Sequence, residues 1–173
     1  MCDAMQPPGI RHRVLEASPG MEVVELSCPA EHATFVEHEM ALPTGLLAPD
    51  RDFGGQRFVH HVGAAAAWVG GPAAGLERRD SAVAEATDGR AALRGLRPGR
   101  ADEAPVAVGG RDDGTGRYRA WFVAAGSVTV AAGGRPPVEL ARRGALVAPL
   151  STSLALTAWS SEAEVLEIVF APD

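Results

Sequence analysis

From Tyr118 onward the chain is divided into short apolar segments too brief and too closely spaced for helices. They read YRAWFVAAGSVTVAAGG (118–134), VEL (138–140), GALVAPL (144–150), SLALTAW (153–159) and EVLEIVFAP (164–172), with Gly, Pro and Ser between them. Segments of this length bounded by turn formers predict β-strands. Connections of a few residues can join antiparallel strands but not parallel ones, which need a crossover of about a dozen residues or more. Nothing alternates strand with helix as a doubly wound sheet would, and no fixed-period repeat is evident. The expected fold class is all-β, a single antiparallel sandwich or barrel.

The first two thirds are less regular. Residues 1–20 contain PPG and SPG without periodicity and read as an N-terminal arm. EVVELSC (22–28) and ATFVEHEMAL (33–42) are β-rich runs, and RFVHHVGAAAAWV (57–69) is a third candidate strand, or two strands broken at Gly63. The section 70–117 is punctuated by GGPAAG, RPGR and GGRDDGTG. It is expected to be a mobile loop insertion with at most a short helix within DSAVAEATDGRAALRGL (80–96), where Ala and Leu recur at helical spacing. A chain of 173 residues is large enough for one buried core, so residues 21–173 are expected to form a single domain carrying that insertion.

Composition removes several function classes. A formal net charge of −6 argues against nucleic acid or an anionic membrane as partner, since both require a basic face. All sixteen basic residues are arginine, so neither a Schiff-base lysine nor a phosphate-loop lysine is available. Asparagine is also absent, and with abundant Ala, Gly, Pro and Arg this points to a GC-rich bacterial genome. Cys2 and Cys28 have no metal-ligand spacing. The N-terminus lacks the apolar stretch of a secretory signal, and VGAAAAWVGGPAAG (62–75) is too short to span a bilayer. A cytoplasmic location is the expectation.

The stretch WFVAAGSVTVAAGGRPPVELARRGALVAPLSTSLALTAW resembles the second part of a cupin. A strand leads to Gly126, a hairpin turns at 133–134, and VEL, RRG, an apolar strand and Pro149 follow. MALPTG (40–45) resembles the Pro-Gly turn before a cupin's first histidine motif, and residues 120–172 are similar to the metal-free C-terminal barrel of bacterial type I mannose-6-phosphate isomerases. The resemblance implies a cupin-like antiparallel jelly-roll barrel, a small-molecule ligand, and a homodimer by analogy. A metal cupin would carry His-x-His and then Glu before the strand ending at Gly126. Here that region reads DDGTGRYRAW, with Arg119 near the expected carboxylate, and the last ligand position falls on about Leu154. The usual metal site is therefore expected to be absent, with no cofactor.

Histidine supplies the remaining candidates. Successive strand side chains point to opposite faces, so His60 and His61 cannot both enter one cavity. The row Phe58, His60, Val62 is the more apolar and nominates His60; the row Val36, His38, Met40 likewise nominates His38, with Glu37 and Glu39 on the opposite face. Three readings stay open for His38 and His60: ligands of a divalent metal, acid–base groups in a metal-free pocket, or ordinary hydrogen-bonded histidines. Arg119 is a candidate clamp for a carboxylate or phosphate, with Tyr118 beside it, and Trp121 and Trp68 are candidate stacking surfaces. The expected function is a cupin-like small-molecule enzyme without the usual metal, an isomerase or a cyclase-type tailoring enzyme of secondary metabolism. The alternatives are a non-catalytic ligand-binding or accessory barrel and an atypical metal enzyme using His38 and His60.

Overall fold

A computed structural model describes residues 2–99, 106–110, 114 and 116–171. Two antiparallel sheets face each other across one core. The C-terminal segments supply most of both: β9 (Tyr118–Ala125), β10 (Ser127–Ala132), β11 (Val138–Ala141), β12 (Ala145–Pro149), β13 (Ser153–Trp159) and β14 (Glu164–Phe170). These are the strands expected from the apolar runs.

The larger sheet contains two strands from within the expected insertion, β6 (Leu76–Asp80) and β7 (Ala91–Pro98), and a short edge strand, β5 (Val69–Gly70), which begins just before it. Its strand order is β12-β9-β14-β7-β6-β5. The smaller sheet has the order β11-β10-β13-β8, where β8 is Val106–Gly109. The expectation of a loop over 70–117 is thus corrected: Leu76 and Leu96 are core residues, 5% and 1% exposed. Residues 100–105, 111–113 and 115 of that stretch lie outside the described residues.

The expected helix shrinks to one turn, α1 (Val83–Ala86). Asp88 and Gly89 have φ of 50° and 76°, left-handed values that end the turn. The Thr87 hydroxyl then donates to Ala91 O at 3.0 Å and accepts from Ala91 N at 3.1 Å, steering the chain into β7. The Ala and Leu recurrence beyond Gly89 belongs to a strand.

β9 and β13 send alternate large side chains inward. In β9 Arg119, Trp121 and Val123 are 5%, 1% and 0% exposed, and in β13 Leu154 and Leu156 are buried on the facing sheet. Between β9 and β10, Gly126 sits at φ 63° against the backbone of Ala163, where an added Cβ would lie 2.9 Å from Ala163 N and Cα. Only glycine fits that reversal.

The N-terminal region does not join this core as expected. β1 (Cys2–Met5) pairs with β4 (Val59–Val62) in a separate two-stranded sheet, and β2 (Arg11–His12) pairs in parallel with β3 (Phe35–Val36) in another. The run 22–28 forms no strand, and only Phe35–Val36 of 33–42 does; Val23, Leu46 and Leu47 are 72%, 85% and 92% exposed. These runs have strand composition, but among the described residues only Phe35–Val36 meets a neighbouring strand to complete its hydrogen bonds. After β4 the chain breaks into a 3-10 turn at Gly63–Ala65, the interruption anticipated at Gly63. Cys2 and Cys28 are free and exposed. Among the described residues no helix is long and apolar enough to cross a membrane.

Candidate functional site

The inner face of the larger sheet carries a charged cluster where apolar side chains are the rule. Cross-strand pairs set Arg94 of β7 beside Glu167 of β14, and Glu167 beside Trp121 of β9. Two residues before Trp121 on β9, Arg119 pairs with Val169 of β14 on one side and Ala148 of β12 on the other. Cross-strand partners point to the same face, so all of these side chains project between the sheets.

Glu167 is 1% exposed and both of its oxygens are occupied. Arg94 Nε and Nη2 both reach Oε2. Trp121 Nε1 donates to Oε1 at 3.0 Å, and Arg119 Nε lies 2.7 Å from the same oxygen. The Arg119 N–H at Nε is misaligned with that oxygen, and among the described residues its buried Nη1 has no hydrogen-bond acceptor. The guanidinium carbon of Arg119 stands 5.8 Å from the centre of the Trp121 ring. Arg119 is thus buried with one carboxylate contact and unused donors. Each Glu167 oxygen accepts a hydrogen bond and lies against a guanidinium, which engages the carboxylate with cations rather than leaving it free to act as a base.

Arg119 and Trp121 therefore occupy the interior. Tyr118 faces outward at the rim, where it stacks on Phe170 with ring centres 6.0 Å apart. Trp68 lies on the outer face of β7: its ring sits 3.2 Å from where a Gly95 Cβ would be, with Arg79 and Arg97 at 4.6 and 4.3 Å from the ring centre. Glu164 and Glu77 pair with those two arginines at 2.8 and 2.7 Å. That assembly is a salt-bridged exterior patch and does not join the interior cluster.

The inward orientation expected of His60 and His38 is corrected. Phe58 and Val62, which share the His60 row, are 45% and 46% exposed, and His60 is exposed with them. His61 is the turned-in member, with Nδ1 2.9 Å from Asp3 Oδ1 on β1. In the other run Val36, His38 and Met40 are exposed, while Glu37 is 8% exposed. The Glu37 carboxylate accepts from the backbone N–H groups of Met40 and Glu39 at 2.9 and 2.7 Å. Those bonds, the Met40 one foremost, hold its pKa below the ordinary carboxylate range. Strand parity was the right rule, but the burying surface for each run is a small outer sheet, whose side the apolar rows do not reveal.

His38 and His60 belong to different two-stranded sheets or their flanks, and neither lies on the double sheet. Among the described residues no three His, Cys, Asp or Glu side chains gather closely enough to hold a metal ion. Leu154, at the last expected ligand position, is a core side chain 2% exposed.

Glu167 and Arg94 are the members that sequence reasoning missed. A signal for Glu167 existed: in EVLEIVF it shares a strand row with Val165 and Val169, a carboxylate in an apolar row. Arg94 lay in the segment read as an insertion.

No family model matches this sequence, and no curated protein does. Solved structures that resemble it include the EutQ protein of Clostridium difficile, at 12% identity over 57% of this chain and 64% of that one, with a TM-score of 0.42. KdgF from Halomonas sp. is 16% identical over 65% of this chain and 91% of that one, with a TM-score of 0.47. The Cnp3 cupin domain of Schizosaccharomyces pombe is 13% identical over 68% and 76%, with a TM-score of 0.49. The chain thus spans just under two thirds of the length of EutQ. At such identities these are likenesses of fold.

Proposed function

We propose that the protein is a cupin-like barrel that binds a small molecule against the inner face of β7, β14 and β9, with Arg119 and Trp121 as contacts. The observation that carries this reading is the buried Arg119 guanidinium, whose Nε and Nη1 have no well-aligned acceptor among the described residues. Buried donors are nearly always satisfied by protein, water or a bound group, so these two call for a partner. Binding is favoured over turnover because all five histidines, at 12, 32, 38, 60 and 61, lie outside the double sheet, and the interior carboxylate is engaged by Arg94, Trp121 and Arg119. The similarity of 120–172 to the mannose-6-phosphate isomerase barrel supports a metal-free pocket at the level of sequence motifs only.

Three indole N–H groups, of Trp68, Trp121 and Trp159, make the test direct. Their amide-region NMR signals are assigned with single Trp→Phe variants, and a mixed library of neutral and charged metabolites is added to the full chain. Compounds that bind are expected to move the Trp121 signal first. If binders move only Trp68 or Trp159, or nothing binds, the reading is wrong. An isomerase or cyclase-type reaction would be its catalytic extension, without His38 or His60 as the acid–base group, since both are exposed and lie outside the double sheet. In that case the bound compound would be converted, and the H38A/H60A variant would retain both binding and conversion.

A further inference from the structure

Building on this binding reading, we infer that the ligand is a monocarboxylate with an apolar body, its carboxylate held by Arg119. The argument is one of charge. Among the described residues, Arg94 and Arg119 bring two positive charges to the inner face and Glu167 brings one negative charge, an excess of one positive charge. Ala92, Leu96, Val123, Ala148, Val165 and Val169 around them are apolar. Asp80, in register with Arg94, and Arg78, in register with Leu96, share that face and pair with each other at 2.8 Å, so together they leave the excess unchanged.

A lysine in this position could shed its proton, but a guanidinium cannot, so its charge persists on burial. A water molecule could accept from Nη1 without balancing the charge. An anion does both. A monoanion brings the cluster to neutrality, whereas the dianion of a phosphate monoester would reverse its sign, which low-dielectric surroundings disfavour. A carboxylate also suits the planar donor fork of arginine. Arg119 is flanked across the strands by Ala148 and Val169, and Val169 by Ala92, all small and apolar, so a ligand that reaches Arg119 meets hydrocarbon beside it. The Arg94 side chain is 26% exposed, so the cluster has a route to solvent.

The probes are three compounds with one chain length: hexanoate, hexanamide and hexyl phosphate. Each is titrated into the full-length protein, with affinity read by calorimetry and position by the Trp121 indole signal. Hexanoate is expected to bind about ten- to a hundredfold more tightly than hexanamide, the usual span for a charge-assisted hydrogen bond. It is also expected to bind more tightly than hexyl phosphate. Arg119→Met should remove the preference for hexanoate over hexanamide, whereas Arg135→Gln, in the exposed β10–β11 turn, should leave it intact. R119M leaves Glu167 paired with Arg94 and so retains a neutral interior; should it nevertheless fail to fold, the wild-type comparison of hexanoate with hexanamide decides alone. Equal binding of hexanoate and hexanamide, or tighter binding of hexyl phosphate, overturns the monocarboxylate. If library compounds move Trp121 and hexanoate does not, the inference falls while the binding reading stands. If no compound moves Trp121, both fall.

Discussion

Replacing Glu167 by glutamine is the sharpest test of the interior cluster. The substitution keeps the shape and leaves a carbonyl that can still accept from Trp121 Nε1, so packing and that hydrogen bond are nearly conserved. What disappears is the negative charge between Arg94 and Arg119. Breaking a buried ion pair from one side typically costs about 3–5 kcal/mol, because the partner is left buried and uncompensated. Arg94 is 26% exposed and recovers part of its loss from water, but Arg119, 6% exposed at its side chain, does not. The lower end of that range, about 3 kcal/mol, is therefore expected. For a chain of this size each kcal/mol moves the melting temperature by about 2–4 °C, so E167Q should melt roughly 6–12 °C below wild type. Thermal and urea unfolding followed by circular dichroism measure both values, and the urea slope should be unchanged. Adding Arg119→Met to E167Q removes the stranded charge, so the double variant should be more stable than E167Q alone, a coupling that a double-mutant cycle reads directly. A loss below about 1 kcal/mol, the range of an exposed pair, would refute the claim that Glu167 neutralises a buried charge.

Other outcomes follow from single contacts. Trp121→Phe removes the indole donor to Glu167 and should cost about 1.5–3 kcal/mol, as for hydrogen bonds to charged groups, measured by urea unfolding. Gly126→Ala forces a left-handed φ on a residue with a Cβ and collides with Ser160 Oγ and the Ala163 backbone. A loss of at least about 1–3 kcal/mol is expected by the same assay, and a neutral result would mean the β9–β10 reversal is not built as described. Leu154→Ala, at the position where a cupin ligand would stand, should cost about 2–5 kcal/mol as a core truncation. The Glu37 carboxyl has its pKa lowered by the Met40 and Glu39 N–H groups, so its contribution is present above the unfolded pKa and is lost as pH falls through the lower, folded one. Hydrogen exchange at Glu39 and Met40, corrected for intrinsic rates, should lose protection over that acidic window, whereas Glu37→Gln should weaken it at every pH.

How much of this was legible in the sequence depends on where each segment's partners lie. β9 to β14 could be read from residue order because each carries its own period-two pattern and is closed by local turn formers such as Gly126, 133–134 and Pro149. They follow one another through short turns, so local pattern and strand order agree, although β13 and β14 also pair with β8 and β7 well upstream. β6 and β7 broke that pattern: LERRD and AALRGLRP place arginines where apolar residues are expected. Arg94 is acceptable inside the barrel only because Glu167, 73 residues away, neutralises it. Conversely, 22–28 has the composition of a strand but no edge to pair with.

The histidines divide in the same way. That His60 and His61 point to opposite sides follows from strand geometry alone and holds. Which of them turns inward depends on Asp3, brought across from the N-terminal strand to meet His61. Local sequence thus determined an all-β, antiparallel chain in which at most one of two adjacent imidazoles faces inward. Tertiary structure decided which side is the interior, because burial and charge compensation are properties of residues brought together from distant parts of the chain.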